Sequence, residues 1–513
     1  MRNRAFISAL GLCLILGVPA AAQDPAPLSA IDWLDTQSTT VALPQPENPD
    51  EPPAAQSATV PTVTVMPLDG PAPRRVGLVP PNVTGLPDTL WSGSTAQDLA
   101  GQLARLPTLR LPALQQLTFT LLLAEAAPPS GNSALFDLAR IDTLLAYGAL
   151  DPAAALMEQA GADTSPAHFR RALDMGLIAG RAARACAILR AQPALSPGKG
   201  HEVFCAARNG DWSTAALQLG TARALGLLAE PQVQALERFL DPDLYEGEPP
   251  LPVPTAPDAL LFRVHAAIGE PIPTRSWPVI YANADLSDTA GWKTQIEAAE
   301  RLAQNGALPG NRLLGLYTQR SPAASGGVWD RVAALQRFET AVGTGSTAAI
   351  SKTLPAVWRV MGAQRLRVPF AQLFADPLED FVLSGSAADT AFELMLLSPR
   401  YEVAAQMFPT RALRRPVLAA LAAGEVPPTV NADGLAGAAL AAFRDAPADP
   451  DILAQARGGA LGAALLETIA LAHDGSGGDA AQLATALATL RALGLEDAAR
   501  RAALQSLLLD QRG

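Results

Sequence analysis

The cysteines are the residues of this sequence with the most definite chemistry. Cys186 and Cys205 lie 19 positions apart, and the segment between them contains a turn with two prolines and a glycine at 193–198. The stretches on either side, 181–190 and 201–208, have helical patterns, so the two thiols are expected on adjacent helices, close enough to bridge. A disulfide is therefore predicted. Two reduced, buried cysteines are the alternative, and a metal pair is disfavoured because the spacing supplies no second pair of ligands.

A stretch without acidic residues, between positions 339 and 376, is the second candidate for chemistry. It carries four cations, Lys352, Arg359, Arg365 and Arg367, and Trp358 lies among them. The chain has 38 Lys and Arg against 49 Asp and Glu, a net charge of −11, so this local reversal predicts a docking face for an anionic partner, glycan or lipid headgroup. The alternative is one solvated helix face. All three arginines would share a face only if the helix broke, which Gly362 could allow.

Signatures of metal and nucleophilic catalysis are missing from the sequence. No G-x-S-x-G motif occurs, and no H-E-x-x-H motif includes any of the four scattered histidines, His168, His201, His265 and His473. The acidic stretch 241–248 resembles a calcium loop, but Glu246 occupies a position that requires glycine. No catalytic residue, metal site or cofactor is therefore predicted.

One short motif keeps an enzymatic alternative open. Glu393, Leu394 and Met395 weakly resemble part of the lysozyme-like domain of soluble lytic transglycosylases, which are exported and join that domain to a helical superhelix. The other motifs of the domain are missing from this sequence. A peptidoglycan-active envelope enzyme is therefore the alternative function, and the main prediction is that the chain is not an enzyme.

The composition predicts an all-α fold that would position these residues. Ala and Leu dominate a hydrophobic fraction of 49%, whereas aromatic residues make up only 5% of the 513 residues. Ala and Leu are strong helix formers, and this composition argues against a β-sandwich or a barrel. The net charge of −11 disfavours general binding to nucleic acid or to anionic membrane surfaces.

The N-terminal 22 residues have the pattern of a secretory signal peptide. Arg2 and Arg4 precede an apolar run from Ala5 to Val18, and an A-x-A pattern ends at Ala22. As a helix this run of 14 residues would be about 21 Å long, which is short of a bilayer core of about 30 Å. No later stretch is apolar over 18 residues. The mature chain is therefore expected in the periplasm, with no transmembrane segment after cleavage.

Prolines and glycines divide the rest of the chain. Residues 23–91 are Pro-rich and are predicted to be a disordered linker, either a spacer or a polyproline ligand, with an apolar end at 79–91 that could dock. Residues 92–245 form a predicted N-terminal helical lobe, 246–258 a Pro-rich interlobe linker and 259–513 a C-terminal helical lobe. Short apolar helices alternate with Gly, Asp and Pro turns without a strict period. The predicted architecture is a degenerate helical-hairpin, TPR-like α-solenoid in two lobes.

These features together resemble a family of exported, Ala-rich helical proteins of alphaproteobacteria. The motifs that carry the resemblance are Gly85-Leu86-Pro87 before Leu90-Trp91, the Cys186 and Cys205 hairpin followed by Gly210-Asp211, and a run from Glu297-Ala298-Ala299-Glu300-Arg301 to Leu316-Tyr317. They are structural rather than catalytic, and the resemblance covers most of the chain. Members sometimes carry an antifreeze glycopeptide label, but the Thr-Ala-Ala repeat of such glycopeptides occurs here only at 214–216 and 347–349. The sequence does not support that activity.

The predicted function is that of a non-catalytic scaffold for protein interactions in the cell envelope. Helical arrays present extended surfaces to their partners. The predicted partner is an envelope protein, and nucleic acid is not expected as a ligand.

Export predicts a defined mature N-terminus. Intact-mass measurement of the periplasmic protein should show cleavage after Ala22, with Gln23 or its cyclised form as the first residue. Replacing both Ala20 and Ala22 by Leu should block cleavage because the site needs small residues at these positions, whereas Ala21→Leu should be processed normally. A wild-type protein that retains Met1 would contradict the prediction.

Overall fold

The computed structural model describes residues 74–509. The predicted signal peptide, most of the predicted linker and the last four residues lie outside the described residues. From 74 to 509 the chain is helical, with three isolated β-bridges and no β-strand, so the predicted all-α class is confirmed for this part of the chain. None of the helices in this range is both long enough and apolar enough to cross a membrane.

Twenty-five α-helices follow one another in the described range. They are α1 (Pro81–Thr84), α2 (Ala96–Arg105), α3 (Pro112–Leu123), α4 (Ser133–Tyr147), α5 (Leu150–Ala160), α6 (Pro166–Ile178), α7 (Ala183–Ala191), α8 (Lys199–Arg208), α9 (Trp212–Ala224), α10 (Glu230–Leu240), α11 (Ala259–Ala267), α12 (Trp292–Gln304), α13 (Gly310–Thr318), α14 (Val328–Gly343), α15 (Thr347–Ala363), α16 (Arg367–Leu378), α17 (Gly385–Leu396), α18 (Ala404–Met407), α19 (Pro409–Arg414), α20 (Pro416–Ala423), α21 (Gly434–Ala442), α22 (Pro450–Arg457), α23 (Leu461–Ser476), α24 (Ala480–Ala492) and α25 (Glu496–Leu508). Short 3-10 helices cover Pro193–Leu195, Pro242–Tyr245, Thr274–Ser276, Val279–Leu286 and Tyr401–Val403.

Side-chain caps explain why several helices begin where they do. A Ser, Thr or Asp oxygen accepts a hydrogen bond from a first-turn N–H at Thr95, Ser165, Asp211, Asp258, Ser346, Asp449 and Asp479. Such caps satisfy backbone donors that have no partner inside the helix. At 209–211 the chain leaves α8, Gly210 adopts a φ of 85°, and Asp211 caps α9. This is the kind of turn that the sequence predicted between helices.

Successive helices pack against each other, and the two ends of the described chain also meet. Neighbours such as α7 and α8, α14 and α15, and α23 and α24 are in contact. In addition, α2 packs on α23, and α3 packs on both α23 and α25. We call this contact between the first and the last helices the closure.

The predicted division into two lobes does not match this packing. Residues 246–258 lack a helix, as expected of a Pro-rich stretch, but α10 and α11 on either side of them pack together. Helix α6 from the predicted first lobe packs on α11 from the second, and all the described residues belong to one compact unit. The Pro-rich segment is therefore a loop within one body, because apolar helix faces on both sides of it are buried against each other.

The last part of the predicted linker is packed on the helices. Val76, Leu86, Leu90 and Trp91 are buried, and the Trp91 ring lies 4.9 Å from the ring of Phe136 on α4. The prediction of a disordered linker is therefore wrong for residues 76–91, which belong to the folded body. Prolines in this segment prevent a long helix, but they leave its apolar side chains free to join the core.

A buried arginine holds this segment to the body. On α4, Arg140 donates through Nε and Nη2 to the Leu122 carbonyl at 2.8 and 2.5 Å. Its Nη1 donates to the Val76 carbonyl at 2.8 Å, and its Nη2 also donates to that of Ala124 at 3.2 Å. Burial lowers the pKa of Arg140 to about 10, and Asp137, 3.6 Å from Nη1, opposes the change. The guanidinium therefore stays charged at neutral pH and holds two stretches of backbone, Val76 and 122–124, to α4.

The predicted disulfide is present. Cys186 on α7 and Cys205 on α8 are bonded, with their Cα atoms 5.0 Å apart, and both residues are buried. The helix, turn and helix that the spacing indicated thus bring the two thiols together. The sequence separation is 19, and a crosslink over a loop of this length stabilises a protein by about 3 kcal/mol on the chain-entropy model.

Removing the Arg140 guanidinium should destabilise the protein strongly. Arg140→Met keeps much of the side-chain volume but leaves the carbonyls of Val76, Leu122 and Ala124 without their donor. We expect the free energy of unfolding, measured by urea denaturation, to fall by about 3–5 kcal/mol. Arg105→Met, at an exposed position on α2, should change it by less than about 0.5 kcal/mol. Equal effects of the two variants would contradict the role assigned to Arg140.

Candidate functional site

The residues of the predicted docking face do not lie on one surface. Lys352 and Arg359 are exposed on α15, but Trp358 is buried, with 5% of its surface accessible. Its indole Nε1 donates to Glu393 Oε2 on α17 at 3.3 Å. The prediction that Trp358 belongs to an exposed docking face is therefore wrong: Trp358 is a core residue because its side of α15 packs against α17.

Of the other two predicted cations, Arg365 lies in the loop that follows α15 and Arg367 begins α16. Helix α15 ends at Ala363, one residue after Gly362. The helix therefore does break at the place where a shared face for the three arginines required it. Arg367, however, lies over the Trp358 ring, 5.3 Å from its centroid, and donates through Nη1 to the Leu508 carbonyl at 3.2 Å. The single docking face is thus corrected to two exposed cations on α15 and two arginines, Arg365 and Arg367, that line a cavity.

Glu393, the residue behind the enzymatic alternative, is held in an ion pair. Arg415 donates through Nη1 to Glu393 Oε1 at 2.5 Å, and the Trp358 indole donates to Oε2. A general acid of the lysozyme type lies in apolar surroundings, whereas both oxygens of Glu393 are engaged by a guanidinium and an indole N–H. The geometry around Glu393 gives no support to general-acid chemistry.

Burial dominates the surroundings of the histidines. His168 and His265 each have 2% of their surface accessible, and Ser165 Oγ lies 2.8 Å from His168 Nδ1. Desolvation lowers the pKa of all four histidines. In the part of the chain that the structure describes, no group of three or more His, Cys, Asp and Glu side chains could hold a metal ion.

A cleft that the sequence did not reveal gathers titratable side chains from five elements. Its volume is about 440 Å³, and its polar lining residues are Asp142, Arg170, Arg171, Asp174, His201, Asp258 and Tyr281. They come from α4, α6, α8, the start of α11 and the 3-10 helix at Val279–Leu286. These elements are distant in sequence and share no motif, so the cluster forms only through tertiary packing and could not be predicted from the sequence.

Asp174 has the most altered titration in this cleft. Burial raises the pKa of Asp174 to about 6, Arg170, 3.9 Å away, opposes the rise, and Asp258 adds to it. Burial also raises the pKa of Tyr281 and lowers that of His201. A carboxyl with a pKa of about 6 can take up and release a proton near neutral pH. Neither Asp174 nor His201 makes a side-chain hydrogen bond to a described residue, so the cleft lacks the oriented pair that acid–base catalysis needs.

A surface of a different kind lies on α9. The exposed residues of α9 are uncharged except for Arg223, and those that recur at helical spacing are Ala216, Leu217, Gly220, Thr221, Ala224 and, just beyond the helix end, Leu225. We call these six residues the α9 face. Leu217 is 72% exposed and Leu225 is 66% exposed, while Trp212 and Leu227 nearby in sequence are 51% and 54% exposed. The opposite side of α9 is packed in the core through Ala215, Leu219 and Ala222.

Comparison with protein-family models, with curated proteins and with solved structures finds no match for this chain. A function therefore has to be argued from the surfaces and cavities of the chain itself.

The raised pKa of Asp174 predicts a pH-dependent effect of Asp174→Asn. The unfolded carboxyl has a pKa of about 3.9, so at pH 7 it is ionised in both states, and folding must desolvate a charge. Asn removes this charge, and the variant should melt at a higher temperature than wild type at pH 7. As the pH falls through about 6, the folded wild type binds a proton, and the difference in melting temperature should vanish by about pH 4.

A second carboxylate in the same cleft provides the control. Asp142 accepts from Arg171 Nε at 2.6 Å, so Asp142→Asn removes a favourable ion pair and should lower the melting temperature at pH 7. If Asp174→Asn were also destabilising at pH 7, the attraction of Arg170 would outweigh burial, contrary to the assigned direction of the pKa shift.

Proposed function

We propose that this chain is an exported, non-catalytic helical protein that acts as a scaffold for protein interactions in the cell envelope. The α9 face is the observation that carries the proposal. A helix surface that faces solvent normally presents charged or polar side chains, whereas here two leucines, 72% and 66% exposed, flank small residues. Apolar groups gathered on one exposed surface are typical of sites where another protein binds.

The shape of the α9 face favours a helical partner with an apolar stripe. Ala216, Gly220 and Ala224 have little or no side chain, and Leu217 and Leu225 project at positions about 12 Å apart along the helix axis. A partner helix can approach the row of small residues closely and bury both leucines. Burial of one leucine side chain contributes about 1.5–3 kcal/mol, so two leucines are enough to dominate a small interface.

The packing around α9 supports an array that exposes one side. Helices α7 and α8, α8 and α9, and α9 and α10 are in contact in turn, so α9 lies within a row of stacked helices. We propose that this row is a degenerate, TPR-like helical-hairpin array. Arrays of this kind bind partners through surfaces formed by several neighbouring helices.

The cysteines and the N-terminal pattern support an exported protein. Disulfides such as Cys186–Cys205 persist in oxidising compartments. The signal-peptide pattern of residues 1–22 points to the same kind of compartment. We therefore propose the periplasm as the location, in keeping with the exported Ala-rich helical family that the sequence resembles.

Site-specific photo-crosslinking in intact cells tests the proposed interaction. A photoreactive amino acid at position 217 should yield a discrete crosslinked product, because the partner covers the α9 face. The same amino acid at position 413 should yield none, although Leu413 on α19 is 83% exposed. Combining Leu217→Glu with Leu225→Glu should weaken binding of the crosslinked partner by more than about tenfold, whereas Leu413→Glu should leave it unchanged.

Two outcomes would contradict this proposal. The first is the absence of a crosslink from position 217, or an equal yield from position 413. The second is release of soluble muropeptides from purified sacculi by the wild-type protein, which would support the peptidoglycan-active alternative.

A further inference from the structure

A partly open cavity beside the closure is lined by three arginines, of which Arg110 and Arg365 are exposed and Arg367 is half-buried. Its volume is about 230 Å³, and its lining includes Arg110, Arg365 and Arg367 together with Gln115, Gln304 and Asn305. We call it the arginine cavity. No acidic side chain of residues 74–509 lines it, although the whole chain has a net charge of −11. Three guanidinium groups in one cavity create a strongly positive potential there.

The backbone conformation at Arg365 is the most informative feature of the cavity. Arg365 has a φ of 54°, and every other residue with a positive φ between 74 and 509 is glycine. Its N–H donates to the Gly362 carbonyl, and the Leu366 N–H donates to the Met361 carbonyl, both at 2.9 Å. Nine other helices end with the same two hydrogen bonds, and each has glycine at the left-handed position, Gly148, Gly180, Gly210, Gly226, Gly269, Gly306, Gly345, Gly459 and Gly494.

The turn itself does not explain an arginine at this position. Glycine adopts the left-handed conformation freely, whereas a Cβ makes it unfavourable. Residues held in such conformations concentrate at sites where the side chain has a function. Arg365 is one of the residues that line the arginine cavity. We propose that this cavity binds a small oxyanion, a phosphate or carboxylate group, and that Arg365 is one of its ligands.

Hydrogen bonds hold the walls of the cavity in place. Gln304 Nε2 donates to the Gln364 carbonyl at 2.9 Å, which fixes the residue that precedes Arg365. Gln115 Nε2 donates to the Leu109 carbonyl at 2.8 Å and to the Gln304 carbonyl at 3.3 Å. These bonds occupy both amide hydrogens of Gln115 and one of Gln304, so the guanidinium groups supply most of the donors that remain for a ligand.

Arg367 offers one of these donors from a fixed position. Its guanidinium is held by the Trp358 ring and by the Leu508 carbonyl. Its Nε is buried and has no hydrogen-bond partner among the described residues. A Cβ at Gly362 would lie 2.6 Å from this Nε, so glycine at 362 lets the guanidinium pack directly against the backbone there. The donors that Arg367 can offer to a ligand are therefore its Nη groups.

A second cavity adjoins the first and could hold an apolar part of the ligand. The two share Pro112, Gln115, Gln304 and Arg365. The second cavity has a volume of about 390 Å³ and includes the apolar side chains of Phe119, Leu308 and Val368. The ligand is therefore either a free phosphate or an oxyanion that carries an apolar tail. Both would place the same kind of anionic group in the arginine cavity.

Calorimetric titration of the purified mature protein distinguishes these sources. The probes are inorganic phosphate and octyl phosphate in a phosphate-free buffer of low ionic strength. Wild type should bind at least one probe with a Kd below about 1 mM. Tighter binding of octyl phosphate would identify a ligand with an apolar tail, and equal binding would identify a free oxyanion.

Arg365→Gly separates the effect of this residue on ligand binding from its effect on stability. The variant should bind the probe at least about tenfold more weakly, because a charge-assisted contact is lost. Its melting temperature should rise by about 1–2 °C, because glycine suits the left-handed turn. Arg110→Gln should weaken binding without raising the melting temperature. Gly345→Arg introduces arginine at the equivalent position after α14, and should lower the melting temperature and leave binding unchanged.

Three results would overturn the proposal. The first is no binding of either probe by wild type, and the second is unchanged binding by Arg365→Gly. The third concerns Asp510, which follows the lining residue Leu509 and lies outside the described residues. Binding by Asp510→Asn but not by wild type would show that the chain's own carboxylate, and not an external oxyanion, occupies the cavity.

Discussion

The backbone groups at the two ends of α3 set the constraint on which the rest of the structure depends. A buried helix end leaves N–H and C=O groups without partners inside the helix. At the start of α3, the Ala113 N–H donates to Gln505 Oε1 on α25 at 2.8 Å, across 392 positions of sequence. At its end, the Leu122 carbonyl accepts from the Arg140 guanidinium on α4. These partners are buried on other helices, so α3 is satisfied only when α4 and α25 are packed on it.

The closure built on α3 explains where the arginine cavity lies. Arg110 comes from the loop before α3, and Arg365 comes from the loop between α15 and α16. Arg367 reaches the Leu508 carbonyl at the end of α25. An open array would separate these segments, and the cavity would not form. The α9 face, in contrast, belongs to a helix that packs chiefly on its neighbours in sequence, α8 and α10. The proposed oxyanion site thus lies beside the closure, whereas the proposed protein-binding site lies on a row of helices that pack on their sequence neighbours.

Features that depend on residues close in sequence were predictable, whereas those that depend on the closure were not. The pairing of Cys186 with Cys205 follows from helical patterns on either side of one turn. The burial of Trp358 depends on α17, and a tryptophan among cations fits an exposed face equally well in sequence. Arg140 belongs to no motif, and its role arises from carbonyls that lie 16 to 64 positions away. One signal for Arg365 was present, because glycine is missing where other helices of the chain end with it.

We infer that helices from both ends of the described chain form one cooperative body. Native-state hydrogen exchange followed by mass spectrometry tests it, because each helix reports the free energy of the opening that exposes its amides. The core amides of α2, α3, α23 and α25 should exchange through the same opening, with equal free energies and an equal dependence on denaturant. Exchange of α2 and α3 through a separate opening of lower free energy, while α23 and α25 stay protected, would contradict the closure and restore two independent lobes.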